Sequence, residues 1–320
     1  MRIGVFSVLF QDLPFEKALE RIVAVGLSAV EIGTGGYPGS QHCPLDELLA
    51  SEARRKSYLA VVRERGLLIS ALSCHYEPLS PDPALARKAD ELFRKTVELA
   101  SLLEVPVVNV VSGLPAGRAG DSSPNWVTCP WPPHNQAMLD YQWNQVAIPY
   151  WRKAGSFAQE RGVKIAVEMH PGFLVYNVET LLRLRQAVGP VLGCNLDPSH
   201  LFWNGVDVPT AIRVLGECIF HVHGKDCQVD SRNVAVNGCN DGKSYADIPH
   251  RAWTFRSIGY GHDEKVWKDI VSALRLVGYD YVISIEHEDA LMSIEEGLSK
   301  SVALLANVLM KDKPGPMYWA

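Results

Sequence analysis

The sequence predicts an α/β protein, a (β/α)8 barrel that forms one domain over residues 1–320. Amphipathic helical stretches alternate with β-branched apolar runs about eight times, which points to right-handed βαβ units and a parallel sheet. Eight units in 320 residues suit a barrel of roughly 250 residues with insertions. Several of the apolar runs also end in a carboxylate or an imidazole. A closed barrel gathers such ends on one rim, whereas an open doubly wound sheet spreads them out. No GxGxxG follows the first strand to favour the open sheet.

The elements share one punctuation. RIGVFS (2–7) opens the series. Phe15, Leu19, Ile22 and Val23 fall on one helical face, Gly26 closes that helix, and LSAVEIG (27–33) is the next strand. Tyr58, Leu59 and Val62 precede Gly66 and LLISALS (67–73). Leu92, Thr96, Leu99 and Leu103 precede PVVNVVSG (106–113). A helix around 146–161 closes at Gly162 before KIAVEMH (164–170). VLGCNLDPSH (191–200) and CIFHVHGKD (218–226) supply strands six and seven. Val266, Ile270, Leu274 and Val277 precede Gly278 and YVISIEH (281–287), and a terminal helix follows near 293–311. Glycine just past the last turn tolerates the φ > 0 of a helix cap.

Long loops are expected after strand 4 (113–142) and strand 7 (227–262), at the strand ends where barrels carry active sites. They hold Trp126, Trp131 and Trp253, with Trp143 just beyond the first. Each Trp reads equally as a flat face for a sugar or as an anchor for its loop.

The formal net charge of −5, with no Lys/Arg run, argues against nucleic acid as a partner. No apolar stretch is long enough for a membrane span. The seven cysteines show no CxxC spacing and no secretory leader precedes them, so a reducing cytoplasm is expected.

Strand residues alternate between barrel interior and helix layer. That period turns Glu168 and His170 inward and Ile165, Val167 and Met169 outward. It likewise turns Ser284, Glu286 and Glu288 inward, opposite Ile283 and Ile285. Asp197 shares a face with Asn195, and Pro198 ends its strand. His221 and His223 share a face, although Ile219 is out of phase with Phe220, Val222 and Gly224.

Glu168, Asp197, His223 and Glu286 are therefore candidate ligands of one divalent cation. Three carboxylates and an imidazole form a hard set that suits Mn²⁺ first, with Mg²⁺, Co²⁺, Fe²⁺ or Zn²⁺ as the other candidates. Crowded into one barrel mouth without a cation, such groups repel or stay unpaired. His221, one layer deeper, is expected to support a ligand or touch substrate. His200, three residues after Asp197, is placed to reach a substrate oxygen or to cap a loop. His170, Lys225, Asp226 and Arg256 are further candidates. An exposed lysine and an acid-paired arginine are the plain alternatives for Lys225 and Arg256. Gly259 and Gly261 in SIGYGH suit a tight turn or a phosphate cradle.

VEMHP with Glu168, LDPSH with Asp197 and His200, HVH with His221 and His223, GYGH (259–262) and SIEHED (284–289) occur in this order. Together they resemble the sugar phosphate isomerase/epimerase superfamily, the xylose isomerase-like TIM barrels. The likeness runs along nearly the whole chain and is strongest from about 160 to 290. It implies that Glu168, Glu286, Asp197 and His223 hold the metal, that His200 contacts substrate, and that Glu168 and Glu286 exchange the proton. The implied activity is a divalent-metal-dependent isomerase or epimerase. It would abstract a proton next to the carbonyl of a keto sugar or oxo-glycoside, giving an enediolate.

The Trp-bearing loop and SIEHED depart from the ketose epimerases and bear on the substrate. A metal-dependent lyase is the nearest alternative, similar to the larger subunit of enzymes that cleave C-glycosides of 3-oxo sugars. A hydrolase of abasic DNA and a non-catalytic sugar-binding protein follow. The expected partners are a small carbohydrate and either a second copy of the chain or a small partner subunit.

Overall fold

The computed structural model describes residues 1–312 and 315–319. Among the described residues ten strands run in chain order: β1 (Arg2–Phe6), β2 (Ala29–Gly33), β3 (Leu68–Ser73), β4 (Val107–Val111), β5 (Lys164–Glu168), β6 (Leu192–Leu196), β7 (Ile219–Gly224), β8 (Asp226–Val229), β9 (Trp253–Arg256) and β10 (Val282–Ile285). Eight of them close a parallel barrel in the order β1-β10-β7-β6-β5-β4-β3-β2, so β10 is the eighth barrel strand. The remaining pair, β8 and β9, forms an antiparallel hairpin.

Helices wrap the outside because their apolar stripes need the sheet. Leu19, Ile22, Leu99, Ile270 and Leu274 are fully buried, on the faces that the helical spacing predicts. Gly26 and Gly278 cap their helices at φ 81°. The unit before β4 has no glycine there, and Glu104 takes the left-handed conformation instead, at φ 58°.

Both long connections hold more order than loops. The first contains a helix at His134–Asp140, running on through Tyr141–Ala147 into Ile148–Gln159. Its polar composition and two preceding prolines masked it in the sequence. The second is the β8–β9 hairpin with a helix, Ser231–Asn237, between its strands. Strands of four residues are too short for alternation to show.

The barrel interior is layered. Ala71, Val107, Ala166 and Phe220 fill one level with apolar groups. Ser70, Asn109, Asn195 and His221 are buried polar groups joined through the His221 ring. Two bulges set this phase. Cys194 pairs with Ile219 but Asn195 pairs with His221, leaving Phe220 as the extra residue. Val30 pairs with Ile69 but Glu31 pairs with Ala71, leaving Ser70 extra. A bulge reverses which residues face inward, so Ile219 packs outward while His221 and His223 point into the barrel.

Candidate active site

Four adjacent barrel strands bring the acidic and imidazole groups together at their C-terminal ends. Glu168 is the last residue of β5, and its Cα pairs with that of Asn195 on β6. Asp197 follows β6 and caps the short helix Pro198–Trp203, its side chain accepting from the Ser199 N–H. His223 lies on β7 opposite Ser284, and Glu286 directly follows β10.

His223 Nδ1 lies 3.1 Å from Glu286 Oε2 and 3.3 Å from Glu168 Oε2. Glu168 Oε1 lies 3.2 Å from His200 Nε2, which is 3.3 Å from Asp197 Oδ2. Potential ligand atoms of Glu168, Asp197 and His223 all fall within 4.8 Å of one another. Lys225 is buried, with its ammonium 3.3 Å from Glu286 and 3.8 Å from Asp197 and paired with Glu288.

These charges act on one another at close quarters. Burial opposes ionisation of Glu168, but hydrogen bonds with His200, His223 and His75 hold it well below the usual carboxylate range. Burial also opposes ionisation of Glu286, yet Lys225 and His223 draw it down to about 2. Asp197 goes the other way. Burial, helped by the charges of Glu168 and Glu286 and opposed by Lys225, pushes it up to about 7.

Above these groups opens a cavity of about 340 Å³. Glu168, His170, Lys225, Glu286 and Glu288 line it, with Phe6, Tyr37 and Phe173 as apolar walls.

A profile of the family described as xylose isomerase-like TIM barrel matches residues 19–308, nearly the whole barrel. The chain belongs to the xylose isomerase-like TIM-barrel family. The uncharacterized protein YfiH of Bacillus subtilis (strain 168) is 44% identical over 312 residues, covering 97% of this chain and 99% of that one. Among solved structures, the probable 3-DHS dehydratase AsbF of Bacillus anthracis superposes with a TM-score of 0.67 at 16% identity, over 96% of this chain and 99% of that one. A D-psicose 3-epimerase of Clostridium cellulolyticum H10, solved with D-tagatose, gives 0.61 at 15%, over 96% and 98%. At such identities these two structures share the fold.

Within this xylose isomerase-like barrel the donor set fits a divalent cation. Asp197 Oδ2 and Glu286 Oε2 are buried and accept no hydrogen bond, although nitrogens lie close by. A buried carboxylate oxygen left so is costly unless something positive meets it. Glu168, Asp197 and His223 form a group that could hold the ion, with Glu286 beside His223.

The other residues singled out in the sequence divide. His170 lines the cavity, with its ring 4.1 Å from that of His200. His200 touches Glu168 and Asp197 rather than capping a loop. His221 does not reach the cavity. Its Nδ1 meets Asn195 and Asn109 and its Nε2 meets Ser70, so it supports the layer beneath.

Arg256, expected at the substrate, gives its Nε–H to both oxygens of Asp289 and is absent from the cavity wall. Of the two readings of Gly259 and Gly261, the tight turn is the one found: Tyr260 N–H donates to Ser257 O, and the N–H groups of Gly259, Gly261 and His262 all donate to Asp226 Oδ2. Trp143 and Trp253 are buried anchors, Trp131 is exposed, and none of the four Trp lines the cavity.

Two residues escaped the sequence reading. Glu31 on β2 is fully buried and lies 3.1 Å from His223 Nε2, while Ser73 and Asn109 donate to the same oxygen, Oε1. His75, two residues past β3, sits 3.1 Å from Glu168 and lines the cavity.

Proposed function

We propose that this barrel is a divalent-metal-dependent isomerase or epimerase of a keto sugar or oxo-glycoside. The observation that carries the reading is the pairing of two carboxylates, Glu168 and Glu286, on the wall of one cavity and around one imidazole. A divalent cation held by Glu168, Asp197, His223 and Glu286, with Mn²⁺ the first candidate, supplies Lewis-acid stabilisation of negative charge on substrate oxygens.

The chain's own groups supply the rest. Both carboxylates are held ionised, and an ionised carboxylate is competent to take the proton next to a carbonyl. Glu168 takes that proton in this reading and afterwards releases it to solvent. Glu286, having drawn a proton from solvent, returns it to the same carbon on the opposite face or to its neighbour. The first outcome inverts a centre, and the second moves the carbonyl. His200 and His170 orient substrate oxygens. Lys225 and Glu288 close the other side of the cavity. Likeness in fold to a named 3-epimerase supports the reading.

The test is solvent exchange. Metal-loaded protein incubated in D₂O with a panel of keto sugars and oxo-glycosides should introduce deuterium next to the carbonyl. No incorporation across the panel would sink the proposal. Elimination is the second reading, favoured by fold likeness to a protein named as a dehydratase. It predicts loss of a substituent from the substrate, with no exchange into recovered starting material. A cytoplasmic location goes with either reading and is supported by seven cysteines that are all free. Among the described residues no helix is long and apolar enough to cross a membrane.

A further inference from the structure

A second cavity, of about 460 Å³, adjoins the first and shares His170 and Glu288 with it. The ionisable groups His170 and Glu288 lie at that shared boundary. Beyond it the walls are Tyr245, Ile248, Phe255 and Ala290, with Thr254 the one aliphatic hydroxyl among them. Phe255 comes from β9 and Tyr245 and Ile248 from the chain leading into it, so the hairpin after β7 builds this compartment.

The wall is braced. Tyr245 stacks on Phe255 with centroids 5.8 Å apart at 23°, and the Arg251 guanidinium lies 4.4 Å from the Tyr245 ring. Trp253 packs 5.2 Å from Phe255 and stacks on Trp203 at 4.6 Å and 7°. Trp203 belongs to the short helix that carries His200, and His200 itself meets Phe255 edge-on at 5.4 Å. The aromatic wall and the candidate catalytic groups are thus one packed unit. Even so, Tyr245 stays 59% exposed and turns apolar surface toward the cavity.

A free monosaccharide has no use for such a space. Its hydroxyls need polar partners, and the first cavity provides them. A larger, mostly apolar compartment with its ionisable groups at the entrance and a single Thr hydroxyl beyond suits a flat, poorly hydrated substituent. We propose that the substrate is a glycoside with a planar apolar aglycone: the sugar ring occupies the first cavity and the aglycone lies against Tyr245 and Phe255 in the second. This rests on the sugar-binding reading of the first cavity.

The test uses the metal-loaded full chain and two probes, 3-oxo-D-glucose and p-nitrophenyl 3-oxo-β-D-glucopyranoside. Calorimetry reads affinity apart from turnover. The aryl glycoside should bind about tenfold tighter than the free sugar. Tyr245→Ala should bring that ratio to within about twofold, and Tyr245→Phe, which keeps the ring, should preserve it. Tyr245 is exposed enough for both variants to fold, which thermal unfolding checks.

Equal affinities in the wild type, a ratio unmoved by Tyr245→Ala, or no binding of either probe each overturn the proposal. Deuterium exchange separates it from the reading beneath. Preference for the aryl probe without exchange keeps the aglycone site and removes the isomerase. Exchange with equal affinities does the reverse.

Discussion

Glu31 Oε1 lies 3.1 Å from Nε2 of His223, while the other ring nitrogen, Nδ1, faces Glu168 and Glu286. A carboxylate on the far nitrogen holds the proton at Nε2 and leaves the Nδ1 lone pair for a cation. Glu31→Gln keeps the shape and removes the charge. Cation affinity measured by calorimetry should fall about 10- to 100-fold, with the thermal unfolding curve still cooperative. Unchanged affinity would mean that Glu31 serves only the barrel's packing.

Glu286→Gln should slow deuterium incorporation into a turned-over sugar by about 10²- to 10⁴-fold, the usual worth of a placed acid or base. Mass spectrometry of the recovered sugar measures it. Exchange at the wild-type rate would remove Glu286 from the proton path.

The pH dependence follows from Asp197, whose ordinary value near 3.8 is pushed up to about 7 by burial and by the neighbouring carboxylates. A raised carboxyl holds its proton more tightly when folded than when unfolded. Its contribution to stability is complete below about pH 4 and is lost as pH rises through about 7. A cation must displace that proton to use the carboxylate. The gain in melting temperature on adding Mn²⁺ to chelator-treated protein should therefore be larger at about pH 8 than at about pH 5.5. A gain that shrinks with rising pH would contradict this.

Lys225 places a buried positive charge beside both Glu286 and Asp197, and Lys225→Met strips it away. Removing one partner from such a buried cluster costs about 3–5 kcal/mol. Urea unfolding should show a loss of that order without metal. The loss should be clearly smaller with saturating Mn²⁺, which restores positive charge beside Asp197 and Glu286. Equal losses would indicate that Lys225 and the cation do not share those carboxylates.

Much of the fold could be read from the chain because helix caps and apolar strands are local signals. Gly26, Gly66, Gly162 and Gly278 each take positive φ where the helical pattern ends. The cluster of Glu168, Asp197, His223 and Glu286 was visible because each sits just where an apolar run stops. Glu31 carried a quieter version of that signal. A lone carboxylate inside an apolar parallel strand, buried on both faces, is already anomalous. Arg256 could not be placed because its partner, Asp289, lies 33 residues away and meets it only through the hairpin. The aromatic compartment was hidden for the same reason, since Tyr245, Phe255 and Ala290 come from separate segments.

The extra residue at Phe220 makes the seventh strand tolerant of one kind of genetic lesion. Deleting its single codon would restore regular pairing without turning the strand over, because His221 already sits opposite Asn195 and both imidazoles keep their inward face. The loss would fall instead on the apolar floor, where the Phe220 ring packs with Ala71, Val107 and Ala166. Such a product would melt earlier yet keep its reaction chamber, a lesion that a thermal screen would catch and a ligand assay would pass.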